Sequence, residues 1–156
     1  MQSVQTERKF SEILVGKIND AAICLMISIG HRTGLFDRMA EMQPSSSKEI
    51  AASASLNERY VREWLDSMTV AGICEFDKSK NTYHLPQEHA ALLTRTSGNV
   101  NIAVLTQFIG MMGSVEDKIV DCFHNGGGIG YSDFHRFHEI MAEESGQSVL
   151  PHIIDT

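Results

Sequence analysis

Basic charge is scarce in this sequence. Thirteen Lys and Arg stand against 20 Asp and Glu, a formal net charge of −7. Nucleic-acid binders draw affinity from a basic stripe, and phosphate backbones repel an acidic surface. The balance therefore argues against DNA, and only a local basic patch could reverse it. Cysteine is scarce too. Cys24, Cys74 and Cys122 are odd in number and far apart, which argues against a disulfide framework or a zinc site. They read as small apolar core residues in a reducing compartment. Long hydrophobic runs are missing. The longest, AAICLMISIG at 21–30, is about half of a membrane span. The N-terminus, MQSVQTERKFSEI, has no apolar signal core. A soluble, cytoplasmic protein with no membrane partner is expected.

What is present suffices for a core. With 42% hydrophobic residues among 156, one domain with a helical appendage needs neither disulfides nor metals to fold. From Phe10 to about Arg32 the apolar residues Ile13, Leu14, Ile18, Ala21, Ala22, Leu25, Met26 and Ile29 recur at helical spacing. Around Ile23 to Ile29 the run is apolar nearly all round, which predicts burial on more than one side. TGLFDRMAE predicts a short second helix, and MQPSSS a polar loop.

Ser46 and Glu49 fit a capping box that opens the helix KEIAASAS. Ser55 and Glu58 repeat the spacing before the next helix, with Asn57 as an alternative cap. That helix places Val61, Leu65 and Met68 on one face with Trp64 beside them, and Gly72 stops it. ICEFD and TYHLP alternate around KSKN as a two-stranded hairpin. Helix, turn, helix and hairpin in this order predict a winged helix. A short helix follows Pro86. A single long helix is predicted from Asn101 to Phe123, with Leu105, Phe108, Ile109, Met112, Val115, Ile119 and Phe123 on one side. HNGGGIG is a loop, YSDFHRFHEIMAEESG a last helix, and QSVLPHIIDT a weakly patterned tail. The fold class is mainly α: a winged helix-turn-helix with a small β-hairpin wing and additional long flanking helices. Residues 1–42 are assigned to N-terminal dimerisation helices, 43–95 to the winged-helix core, and 96–156 to a long helix and a connector helix.

The helix in the recognition position is poorly suited to DNA. Its outer face offers Glu58, Arg59, Arg62, Glu63 and Asp66, two basic residues against three acidic. Glu58 with Arg62 and Arg59 with Glu63 are i,i+4 pairs, so both arginines have carboxylate partners within reach. From Ser45 to Pro86 there are five basic and six acidic residues. A solvated, salt-paired face on a structural helix is the favoured reading. HNGGGIG lacks the preceding strand and the Lys-Ser or Lys-Thr of a phosphate loop. His135 and His138 share a helix face beside Glu139, but no third metal ligand follows from the spacing, so no metal site is assigned. Phe137, Met141 and Ser145 form one ridge of the last helix. That ridge is either core-facing with a polar end or a wall presented to a small molecule.

CLMISIGHRTGLFD, LNERYVREWL, GICEFD with TYHLPQEHAALLTR, GSVEDKIVDCF and FHRFHEIMAEESGQ together resemble the N-terminal part of a family of S-adenosylmethionine-dependent methyltransferases. The resemblance runs from about Phe10 to Asp155. It implies a winged-helix domain with added helices that dimerises and helps roof a substrate pocket. Related O-methyltransferases carry F-x-x-x-M-x-x-x-S on the helix before the catalytic fold, which Phe137, Met141 and Ser145 match. The resemblance implies Phe137 on the substrate side, with Met141 and Ser145 near the cofactor once a catalytic domain is present.

The departure is that no strand followed by a G-x-G turn occurs in this sequence, so the α/β sheet that holds such a cofactor is missing. No catalytic residue is assigned, and whether the chain is an enzyme stays open. No cofactor is expected for this chain alone, S-adenosylmethionine being implied for the full-length family. A homodimer through the first and long helices is expected. A stand-alone winged-helix DNA-binding regulator, or a truncated partner of a full-length methyltransferase, is the alternative.

Overall fold

A computed structural model describes residues 2–96 and 101–148. The tail from 149 to 156 lies outside the described residues. Helix α1 (Gln2–Thr33) leads into α2 (Leu35–Glu41), α3 (Ser47–Ala54) and α4 (Glu58–Val70). Strands β1 (Glu75–Asp77) and β2 (Thr82–His84) follow, then α5 (Gln87–Leu93). A 3-10 turn (Ile102–Thr106), α6 (Gln107–Gly113), α7 (Glu116–Asn125), a second 3-10 turn (Tyr131–Asp133) and α8 (Phe137–Ser148) complete the chain.

The winged helix forms where its local signals place it. Ser46 accepts from the Glu49 amide while the Glu49 carboxylate accepts from the Ser46 N–H at 2.8 Å, closing the capping box on α3. The Ser46 N–H and, at 2.7 Å, the Ser46 hydroxyl both donate to that carboxylate and hold the Glu49 carboxyl below the usual range. Ser46→Ala is expected to lower stability by about 1 kcal/mol, read as a shift of the urea midpoint. An unchanged midpoint would show the box to be energetically idle. Asn57, not Ser55, caps α4: its Oδ1 accepts from Arg59 N at 3.1 Å. Ser55 instead ends α3 in the left-handed region. Gly72, at φ 71, ends α4 in a Schellman arrangement: Ile73 N donates to Met68 O at 2.8 Å and Gly72 N to Thr69 O at 3.0 Å. The strands pair antiparallel with Phe76 opposite Tyr83, and their rings meet at 4.7 Å.

The main core joins the winged helix to α1 and α2. Phe36, Ile50, Leu65 and Met68 are fully buried, with Ile23, Met26 and Ile27 of α1 packed against them. Trp64 is buried, stands edge-on to Phe36 at 5.1 Å and donates its indole N–H to Met26 O at 2.8 Å. Gly30 lets α1 approach this ring; a Cβ there would sit 2.3 Å from Trp64 Cζ2. A second, smaller cluster gathers Val104, Met111 and Ile140 with Phe108, Phe134 and Phe137.

Four expectations are corrected. The helix drawn from Asn101 to Phe123 is three pieces. Asn101 caps a 3-10 turn, accepting from Ala103 N at 3.0 Å, and Gly110 and Gly113 weaken α6. The chain breaks at Ser114 and Val115, where Val115 leaves helical geometry and buries its side chain. The period survives a short break, so the apolar stripe alone reads as one helix. The last helix starts at Phe137 rather than Tyr131, because Arg136 takes a left-handed φ of 64. Helix α1 is touched from two sides, by α2 and α4 and by the 3-10 turn and α6, but it is not enclosed. Leu25 and Ile29 stay over 40% exposed, and its first half carries Phe10, Ile13, Leu14, Val15 and Ile18 in the open. Finally, only Cys74 is a buried core cysteine, its thiol pushed up to about 12 by burial; Cys24 and Cys122 are half-buried.

Residues 9–33 of α1 are long and apolar enough to cross a membrane by length and composition, with mean hydropathy 1.7. The second half of that segment packs on α4 through Met26 and Trp64, while only 11% of the apolar window is buried.

Candidate functional site

On α4, the position of a recognition helix, Arg59, Arg62, Glu63 and Asp66 are exposed and Glu58 is half-buried. Arg62 pairs with Glu58 at 3.5 Å. Among the described ion pairs none joins Arg59 to Glu63, so that expected pair does not form. Glu58 also accepts from the Ser47 hydroxyl at 2.8 Å, and Asp66 from the Tyr83 hydroxyl at 2.7 Å. Burial, then the Asp66 carboxylate, pushes the Tyr83 phenol up to about 12, so it remains a donor. These carboxylates brace α3 and the wing against α4, which leaves a face poorly suited to phosphate.

The densest polar cluster lies elsewhere, where the end of α1, the segment after α5, α6 and α8 meet. Arg95 donates through Nη1 to Asp37 Oδ2 at 2.7 Å and to His31 O at 2.9 Å, and through Nε to Glu143 Oε1 at 3.1 Å. Its backbone N–H adds a bond to Asp37 Oδ1 at 2.7 Å. His31, 1% exposed, sets Nε2 2.8 Å from Glu143 Oε1. Gln107 Nε2 donates to Glu143 Oε2 at 3.1 Å, and Arg136 Nη2 to Gln107 Oε1 at 3.2 Å.

Burial, reinforced by the Arg95 guanidinium, holds His31 below its ordinary 6.5. The imidazole is therefore neutral near pH 7, and its Nε2 lies 2.8 Å from Glu143 Oε1 and 3.0 Å from Arg95 Nη2, donating to the carboxylate in one tautomer and accepting from the guanidinium in the other. Burial works to raise the Glu143 carboxyl, but His31, Gln107 and Arg95 outweigh it and keep it below the usual range. The cluster ties α8 to the winged helix. It contains no nucleophile poised beside a base, so it is a clamp rather than a catalytic centre.

The residues assigned from sequence to a pocket separate on α8. Phe137 packs into the second core cluster, its ring 5.4 Å from Tyr131. Met141 and Ser145 lie on an exposed face, and the Ser145 hydroxyl stands 3.5 Å from its neighbour Glu144. His135 precedes α8 and so does not share a helix face with His138. Among the described residues no group of His, Cys, Asp and Glu is arranged to hold a metal ion.

A cavity of about 320 Å³ opens between α1, α6 and α8. Leu25, Ile29, Met111 and Ile140 form its apolar floor, and Arg32 and Arg136 stand in its wall. Sequence reasoning missed both cavity and clamp. The one signal for the clamp was a histidine inside an apolar stretch, at the end of CLMISIGH.

Residues 21–95 match the family model of the Rv2258c-like winged HTH domain. No curated protein matches the sequence significantly. Among solved structures, human N-acetylserotonin methyltransferase in complex with SAM superposes with a TM-score of 0.66 at 14% identity. That match covers 88% of this chain and 42% of the methyltransferase. The dimethyltransferase RosA from Streptomyces davawensis gives a TM-score of 0.68 at 15% identity, over 94% of this chain and 48% of RosA. The mitomycin 7-O-methyltransferase MmcR gives 0.64 at 14%, over 95% and 45%. At these identities the likeness shows the fold, and this chain spans less than half of each of those chains. Residues 21–95 therefore resemble the Rv2258c-like winged helix-turn-helix domain, within a chain whose fold is that of a portion, less than half, of these methyltransferase chains.

Proposed function

We propose that this chain is the accessory part of an S-adenosylmethionine-dependent methyltransferase: a dimerisation and substrate-roofing domain that does not transfer methyl groups by itself. The observation that carries this reading is the extent of the likeness, about nine-tenths of this chain against less than half of each methyltransferase.

Two features of the surface support it. The first half of α1 exposes Phe10, Ile13, Leu14, Val15 and Ile18, and Phe123 on α7 is 87% exposed; open apolar surface of this extent marks a partner site. The exposed Met141 and Ser145 face of α8 is available to a catalytic domain, where these two would approach the cofactor, with Phe137 on the substrate side. The partner for α1 and α7 is a second copy of the chain, or a full-length methyltransferase. The acidic face of α4 disfavours nucleic acid.

Light scattering at tens of micromolar tests the dimer. A mass near twice 17.3 kDa is expected, and a monomer throughout that range overturns the interface. Titration calorimetry with S-adenosylmethionine is expected to give no heat, because among the described residues the sheet is a two-stranded hairpin without the strand-and-glycine turn that holds such a cofactor. Clear micromolar binding would overturn the reading of this chain as incompetent alone.

A further inference from the structure

The cavity between α1, α6 and α8 has a charge character opposite to that of the chain. Its ionisable lining residues are Arg32, His135 and Arg136, with no Asp or Glu among them, in a sequence of net charge −7. Two carboxylates bonded to lining residues are already engaged. Glu139 accepts from Arg136 Nε at 2.7 Å, and Glu143 is held by Arg95, Gln107 and His31. Arg136 is thus partly neutralised, and it donates to Gln107 as well.

Arg32 differs. It is exposed at the end of α1, and its side chain makes no ion pair or hydrogen bond among the described residues. The Ser28 hydroxyl, one turn earlier and buried, likewise has no partner among the described residues and lines the same cavity. A free guanidinium and a free hydroxyl therefore stand above a floor of Leu25, Ile29, Met111 and Ile140.

We infer that this cavity binds a small apolar molecule carrying a carboxylate, its ring or chain on the apolar floor and its carboxylate on Arg32 and the Ser28 hydroxyl. Guanidinium is matched to carboxylate by its planar fork of donors, and the lack of any lining acid removes the repulsion an anion would otherwise meet. The volume is at the small end of ligand sites, which suits a molecule of one or two rings. The inference rests on the methyltransferase reading only in calling this molecule the methyl acceptor; the anion preference stands on the cavity alone.

The probes are 2-naphthoate and its neutral counterpart 2-naphthylmethanol, titrated into the full chain by calorimetry. The carboxylate is expected to bind at least about tenfold tighter, the size of one charge-assisted hydrogen bond. Arg32→Gln is expected to remove that preference while leaving the alcohol unchanged. Arg59→Gln, on the exposed face of α4, is expected to preserve it. A thermal melt checks that each variant is folded. Equal binding of the two probes, a preference that survives Arg32→Gln, or no binding of either at millimolar concentration would overturn the inference. Those outcomes leave the dimer and cofactor tests untouched, so failure here is distinguishable from failure of the accessory-domain reading.

Discussion

Replacing Trp64 by alanine is expected to lower the unfolding free energy by about 3–5 kcal/mol, the cost of emptying a packed aromatic site. Trp64 joins three elements. Its ring lies against Phe36 of α2, its N–H reaches Met26 O on α1, and Gly30 lets the α1 backbone touch its face. The indole is large and its neighbours are helices fixed elsewhere, so the cavity cannot collapse cheaply. Gly30→Ala tests the same junction from the other side. Alanine gains about 1 kcal/mol of helix propensity over glycine. Its Cβ would nonetheless lie 2.3 Å from Trp64 Cζ2 and 2.8 Å from Phe36 Cε2, so the rigid rings must shift. Overpacking of that kind costs about 1–3 kcal/mol, which leaves a net loss or near-balance. Urea unfolding followed by Trp64 fluorescence for Gly30→Ala, and by circular dichroism for Trp64→Ala, reads both. A Trp64→Ala loss below about 1 kcal/mol would show that α1 does not depend on this contact.

Arg95→Met is expected to lower stability by about 1–3 kcal/mol and to change its pH dependence. Removing one partner of a fully buried ion pair costs about 3–5 kcal/mol because the other charge is left uncompensated. Here Arg95 is 37% exposed and Glu143 27%, so water screens part of that cost.

The pH signs follow from the two depressed groups. In the wild-type chain His31 sits below its ordinary 6.5, so the unfolded chain takes up a proton that the folded one resists. Stability is full above 6.5 and declines as the pH falls below it. Glu143 sits below its ordinary 4.5, so its contribution is present above that value and is lost as the pH falls through its folded value. Arg95 is the second cause depressing His31, while Glu143 pulls that imidazole upward. In Arg95→Met the depression weakens, and the acid loss just below pH 6.5 becomes shallower although the protein is less stable overall. Melting temperatures from pH 7.5 down to pH 5 measure both. A variant curve parallel to the wild type would show that Arg95 does not act on His31.

The capping box at Ser46 and Glu49, the α4 core face, Gly72 and the hairpin were all legible in the sequence, because each depends on residues a few positions apart. The lack of a basic excess on α4 was legible for the same reason, since a helix face is a local pattern. The break at Ser114 and Val115 was not, because a brief interruption does not disturb the apolar period. Nor was the start of α8, which depends on one left-handed residue, Arg136. The clamp and the cavity belong wholly to tertiary structure. His31 and Glu143 are 112 positions apart, and Arg95 is 58 from Asp37. The sequence by itself determined the winged-helix elements, their order and the acidic surface, through short-range propensity, capping and composition. Only the tertiary structure decided which polar residues meet, because burial and pairing over such separations depend on how the helices pack.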